Sequence, residues 1–205
     1  MRRSARPCKQ PQPPIKKRKD QLTLGGAVAD YWAMVRQREI AAASVAFFLM
    51  FLGVSVYIVY FPTWLEGHLG FTPNQIAMLF LVGGIANVLT GPQAGRISDR
   101  IGRKLIVLLS CVGLFFVMLS TTWVLGNLWV AYPFFFLTMV LVAMRISPFS
   151  ALLTALVPDH NRGSLMSLTV ALGQVGFGLG GAIAGPLYAD LGYGSNTALA
   201  AVCVL

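Results

Sequence analysis

The chain has 205 residues, a formal net charge of +9 and a mean hydropathy of +0.70. Hydrophobic residues make up 56% of it and charged residues only 11%, less than half the share in a typical soluble domain, which argues against an ordinary soluble enzyme. Its three cysteines have neither metal-ligand spacing nor a disulfide framework, so we expect no metal or other cofactor.

The N-terminal region is basic and polar. Residues 1–22 are rich in Pro, Lys and Arg, which predicts disorder. The run at 16–19 resembles a nuclear-targeting signal, but beside membrane spans such a segment is attracted to anionic lipid, so we expect lipid and not nucleic acid as the partner. Within 28–39, apolar residues recur on one helical face. This predicts either an interfacial helix or a cytoplasmic extension of the first span.

Long charge-free stretches follow, and a membrane span needs about 20 apolar residues. They predict an all-α membrane protein with five complete transmembrane helices in a bundle covering 40–205. A turn at Gly126 and Asn127 divides the longest stretch. The predicted spans are approximately 40–62, 75–95, 104–124, 128–156 and 164–188. A sixth, 197–205, is too short to cross, so we expect a fragment that ends inside a helix.

Basic residues predict the orientation. Ten of the sixteen Lys and Arg precede the first span and four lie in 96–104, whereas the loops 66–74, 125–127 and 189–196 have none. This asymmetry predicts a cytoplasmic N-terminus and a protein integral to the cell (inner) membrane. Aromatic residues at the opposite helix ends are typical of an interfacial belt: Trp64, Trp123, Trp129, Tyr188 and Tyr193.

Glycines recur in the second and fifth spans. In lipid, small residues allow helices to approach closely, so these stripes predict packing surfaces against neighbouring helices. The residues are Gly83, Gly84, Gly91, Gly173, Gly176, Gly180, Gly181 and Gly185.

The segment 95–104 reads Gly-Arg-Ile-Ser-Asp-Arg-Ile-Gly-Arg-Lys and joins two spans. We expect Gly95 to end the second helix and Gly102 to permit a sharp turn. The segment resembles the loop signature of the major facilitator superfamily of transporters, G-x-L-x-D-R-x-G-R-K, with Ile97 in place of Leu. The resemblance implies a twelve-helix fold of two six-helix halves, of which this chain is one, with substrate bound between them.

In that superfamily the loop acts as a cytoplasmic latch. The resemblance implies that Asp99 faces a helix N-terminus of the opposite half and interacts with nearby arginines, of which Arg162 is one. The alternative is that the cations only follow the positive-inside rule, which explains neither Asp99 nor the glycines. The predicted latch residues are Gly95, Arg96, Asp99, Arg100, Gly102, Arg103, Lys104 and Arg162.

Two departures from the superfamily's patterns bear on which half this is. Arg145 is followed four residues later by Phe149, where the N-terminal half often has glycine. The antiporter signature of helix five fits 172–181 only with Leu172 for its first glycine and Phe177 for its proline. Both put antiport in doubt and favour the C-terminal half. Residues 1–39 are then a linker between halves, or otherwise a cytoplasmic tail.

Arg145 is the one ionisable residue well inside a predicted span, roughly 18 Å from the cytoplasmic end. A charge at that depth is costly and marks a site by default, so we predict a substrate-binding role. The alternative is a structural arginine satisfied by carbonyls freed near Pro148. Met50, Phe51 and 134–136 could line an apolar pocket, but we expect them to face lipid.

The predicted function is secondary active transport of a small organic solute, as a permease or exporter working by alternating access. No nucleophile–base pair or phosphate-binding loop is recognisable, so we do not expect an enzyme. The expected partners are the lipid bilayer, a small-molecule substrate and the complementary six-helix half. The alternative is a non-transporting scaffold or regulatory subunit, or a defunct half-transporter.

Overall fold

The computed structural model describes residues 36–158 and 161–205. These residues form seven α-helices: α1 Arg38–Ile58, α2 Phe61–Leu69, α3 Pro73–Ile101, α4 Arg103–Val124, α5 Leu128–Ala155, α6 Arg162–Leu191 and α7 Tyr193–Val204. The predicted disordered segment 1–22 and most of the predicted interfacial helix 28–39 lie outside the described residues.

Five helical stretches in the described residues are long and apolar enough to cross a membrane. The first joins α1 and α2 across a short break, and the others are α3, α4, α5 and α6. This confirms the prediction of an all-α membrane protein with five spans. The last helix, α7, has 12 residues and is therefore about 18 Å long.

The helix that carries Gly95 continues beyond it, so the prediction that this glycine ends the second helix is wrong. Instead α3 runs to Ile101, and a side chain on Gly95 would meet the Ser147 hydroxyl of α5 at 3.2 Å. Gly95 is thus a close-packing position inside α3. Similarly, α7 begins at Tyr193, before the expected residue 197, because Gly192 has a φ of 75° and separates it from α6.

Helix packing divides the bundle into two groups. In one group α5 packs along both α3 and α4. In the other, α1 packs along α6 and α7. The groups are joined mainly where α4 lies against α7, while α5 and α6 touch only lightly. A boundary therefore runs between α5 on one side and α1 with α6 on the other.

Glycines of α6 form the contact with α1, as the glycine stripe predicts. A Cβ on Gly176 would lie 2.6 Å from the Phe48 carbonyl oxygen, and one on Gly180 would lie 2.6 Å from that of Leu52. The stripe of α3 is divided. Gly83 packs against a phenylalanine ring of α5, whereas a Cβ on Gly84 or Gly91 would meet no atom within 4 Å.

Aromatic side chains near the α1–α2 break form a stacked cluster in the core. The Phe61 ring lies 5.3 Å from that of Phe135, and the Trp64 ring lies 4.9 Å from that of Tyr193. Trp64 and Tyr193 are therefore buried core residues and do not belong to the predicted interfacial belt, because their helix faces point inward. Trp123 and Trp129 are more than four-fifths exposed, at 82% and 86%.

Candidate functional site

The connection between α3 and α4 is a single residue, Gly102. Its φ of 116° and ψ of 124° lie in a region that side chains disfavour, so glycine suits this position. Its N–H donates to the Ser98 carbonyl at 2.9 Å, and its own carbonyl accepts from the Ile106 N–H at 3.2 Å. The turn therefore closes one helix and opens the next without a loop.

An ion pair crosses this turn. Both Nε and Nη2 of Arg103 donate to Oδ1 of Asp99, at 3.0 and 2.9 Å. The Asp99 side chain is 60% exposed, and its second oxygen, Oδ2, accepts no hydrogen bond from any described residue. Oδ1 of the carboxylate thus links the two helices across the turn, and Oδ2 is left without a hydrogen bond from a described residue.

The remaining cations predicted for the latch have different environments. The side chains of Arg96, Arg100 and Lys104 are exposed and make no hydrogen bond or ion pair with a described residue. Arg162 begins α6, and its Nε donates to the Thr154 carbonyl of α5 at 3.1 Å. A contact between Arg162 and Asp99 therefore stays a prediction, since the ion pair seen at Asp99 is made with Arg103.

The guanidinium of Arg145 lies deep inside the bundle. This residue of α5 is only 2% exposed and is the largest fully buried side chain among those described. Its Nη2 donates to the Met50 carbonyl of α1 at 3.1 Å, whereas Nε and Nη1 are buried without a hydrogen-bond partner. The thiol of Cys111 on α4 lies close by. This hydrogen bond crosses the boundary between the two helix groups, as does the one from Arg162 to Thr154, and Nε and Nη1 of Arg145 remain without an acceptor.

A cavity of about 70 Å³ adjoins this guanidinium. Apart from Arg145 its walls are apolar, and α1, α5 and α6 contribute them. They are formed by Met50, Phe51, Val54, Val142, Ile146 and Phe177. Such a space has room for one small polar group or a few water molecules. Arg145 has the only polar side chain among the residues that line this cavity.

Several predictions for this region are wrong. Met50 and Phe135 were expected to face lipid but are 5% and 0% exposed, and Phe51 lines the cavity. Successive residues of a helix point about 100° apart, so three phenylalanines in a row cannot share one environment. Phe134 is half-buried, and Phe136, at 39% exposed, remains on the surface.

The partner of Arg145 also differs from the structural alternative considered from the sequence. The carbonyl that accepts from it belongs to Met50 on α1 and was not freed by Pro148 of its own helix. No local sequence signal identifies Met50 or Cys111 as neighbours, because both come from other helices.

Comparisons with known proteins agree with this architecture. The family model of the Major Facilitator Superfamily matches residues 43–205. A Haemophilus influenzae protein named for metabolite transport is 30% identical over 158 residues, which make up 74% of this chain and 35% of that protein. The quinolone resistance protein NorA of Staphylococcus aureus is 33% identical over 67 residues, 33% of this chain and 16% of NorA. The chain therefore matches only about a third or less of the length of these relatives.

Proposed function

The chain belongs to the Major Facilitator Superfamily, and on that premise we propose that it forms one half of a secondary active transporter for a small organic solute. The observation that carries the proposal is Arg145, a buried cation with two free donor nitrogens beside an apolar cavity. A cation at membrane depth costs at least ~2.5–3.5 kcal/mol unless it is compensated. A hydrogen-bond acceptor on a solute bound between this half and its proposed complement would supply that compensation.

Alternating access is part of the proposal, with the α3–α4 turn as a cytoplasmic latch. The open Oδ2 of Asp99 supports it, because an exposed carboxylate is attracted to the N-terminal end of a helix. That helix would belong to the complementary six-helix half. The attraction is worth about 0.3–1 kcal/mol, or up to ~2 when partly buried, enough to bias two states of similar energy.

The orientation and the assignment to one half remain proposals as well. The distribution of Lys and Arg supports a cytoplasmic N-terminus in the cell membrane. The departures at Phe149 and Phe177 favour the C-terminal half, in which residues 1–39 link the two bundles.

Transport by proteoliposomes tests the function. The full-length protein would be reconstituted and offered radiolabelled solutes, with organic carboxylates beside neutral and cationic compounds of similar size. We expect a gradient-driven accumulation of at least one solute that bears an acceptor group, and its loss in Arg145→Met. Arg38→Met, which removes an exposed cation at the start of α1, is the matched control. No accumulation of any solute by the native protein would favour the non-transporting scaffold.

A further inference from the structure

One exposed face of α3 combines apolar and basic side chains in a single line. Met78, Ile85, Leu89, Arg96 and Arg100 follow one another at intervals of seven, four, seven and four residues. With 3.6 residues per turn, these intervals keep all five on the same side of the helix. The three apolar members are 51%, 49% and 56% exposed. An apolar strip therefore leads directly to two arginines.

A surface depression of about 200 Å³ lies at the basic end of this strip. It is lined by Gln93, Arg96, Ile97 and Arg100. Neither guanidinium has a hydrogen bond or ion pair with a described residue, because the nearby carboxylate of Asp99 accepts from Arg103. The depression is thus flanked by two cations that form no ion pair with a described residue.

The length of α3 places this depression at the depth of lipid headgroups. Its 29 residues make it about 43 Å long, against ~30 Å for the hydrocarbon core and ~40–45 Å including both headgroup layers. When the core of the helix lies in hydrocarbon, Met78, Ile85 and Leu89 contact acyl chains. Arg96 and Arg100 then lie among phosphates.

We propose that this depression binds the headgroup of an anionic phospholipid, with one acyl chain along Leu89 and Ile85. Residues four apart on a helix have Cβ atoms about 5–6 Å apart, so both guanidinia can donate to one phosphate, each through its planar fork. The Gln93 amide provides a further donor. A zwitterionic lipid fits less well, because its ammonium group would lie beside two cations with no free carboxylate in the lining.

A different face of α3 is better suited to contact with the complementary half. A Cβ on Gly84 or Gly91 would meet no atom within 4 Å, and these glycines lie well over 100° around the helix from Leu89. Close helix–helix contact in lipid favours such small residues over bulky apolar ones. The strip from Met78 to Arg100 thus remains for lipid.

Lipid binding to the purified full-length protein in detergent tests this proposal. Native mass spectrometry would count phosphatidylglycerol and phosphatidylcholine of the same acyl composition retained by the protein. The double variant Arg96→Gln/Arg100→Gln is compared with Arg36→Gln/Arg38→Gln, which removes two exposed cations near the start of α1. We expect the first variant to lose about 30-fold in phosphatidylglycerol affinity, since each basic residue near an anionic lipid contributes about fivefold. The control variant should lose clearly less, because Arg36 and Arg38 do not line the depression.

Two measurements on the native protein test lipid binding without any variant: competition by inorganic phosphate and retention of phosphatidylcholine. Inorganic phosphate in excess should not displace phosphatidylglycerol, because it lacks the acyl chain that Leu89 contacts. Displacement at equal concentration would identify a site for soluble anions and overturn the proposal. Equal retention of phosphatidylcholine, or full binding by the properly folded Arg96→Gln/Arg100→Gln variant, would also overturn it. The latter result would point to the complementary half as the occupant of this face.

Discussion

At the scale of single residues, the energetics of Arg145 decide what the cavity can do. A hydrogen bond that involves a charged group contributes about 1.5–3 kcal/mol, similar to the ~2.5–3.5 kcal/mol cost of a cation at mid-membrane. The single bond to the Met50 carbonyl offsets only part of that cost, because Nε and Nη1 are buried without an acceptor. A group that accepts from these nitrogens stabilises the bundle when it binds.

The Arg145 side chain should therefore matter through its donors more than its bulk. We expect transport to fall in the order native, Arg145→Lys, Arg145→Met, because Lys keeps the charge without the planar fork and Met keeps only length. Initial transport rates at matched membrane expression are the measurement. If Arg145→Met transports as fast as the native protein, the residue is structural and the solute binds elsewhere.

Asp99 should act through its charge while adding little to folding. Exposed ion pairs are worth about 0–1 kcal/mol, so Asp99→Asn should scarcely change thermal unfolding despite the loss of the charged bond to Arg103. Transport should fall by about twofold to 30-fold, as expected when ~0.3–2 kcal/mol is removed from one of two conformations. Asp190→Asn, at an exposed acid near the end of α6, is the control. Normal turnover in Asp99→Asn would mean that the turn is no latch and that its basic residues only set the topology.

At the scale of helices, the close contact of α6 with α1 depends on glycines, which have no side chain. A Cβ on Gly176 or Gly180 would lie 2.6 Å from a backbone oxygen of α1, closer than side-chain atoms tolerate. Because backbone cannot rotate away as a side chain can, the two helices would have to separate.

Gly176→Ala and Gly180→Ala should each destabilise the protein by about 1–3 kcal/mol, the usual cost of overpacking. Gly178→Ala is the matched control on the same helix, because a Cβ there meets nothing within 4 Å. It should be neutral or slightly stabilising, since Ala favours a helix by up to about 1 kcal/mol over Gly. Thermal unfolding in detergent measures all three, and equal effects at the three positions would contradict the packing argument.

Sequence patterns predicted the helices better than their ends and contacts. Charge-free length was enough to find five spans, because hydrocarbon sets that length. Gly95 was misplaced because a glycine that stops a helix and one that permits close packing look alike in sequence. The depth of Arg145 was predictable, whereas its bond to Met50 depends on how α5 approaches α1, a contact between residues 95 positions apart.

At the scale of the whole molecule, the predicted orientation can be tested by cysteine labelling in a cysteine-free background. Gly67→Cys and Gly126→Cys should react with a membrane-impermeant maleimide added outside intact cells, since both positions are exposed with open space. Ile101→Cys, 58% exposed beside the α3–α4 turn, should react only after permeabilisation. Ser98 is unsuitable because it is buried. Labelling of Ile101→Cys from outside intact cells would show that the predicted orientation is wrong.

On the proposed function, the division of the bundle into two helix groups bears on how a solute would enter. The Arg145 cavity lies on the boundary, with α5 on one side and α1 and α6 on the other. This space of about 70 Å³ thus lies between two helix groups that are joined elsewhere, through the contact of α4 with α7 and through the aromatic cluster around Phe61. A small outward tilt of α1 and α6 together would widen this gap while their glycine contact stays closed. Such a tilt must break the hydrogen bond from Arg145 to Met50, beside the one from Arg162 of α6 to Thr154 of α5. On the proposed function, an acceptor on the solute would take the place of the Met50 carbonyl.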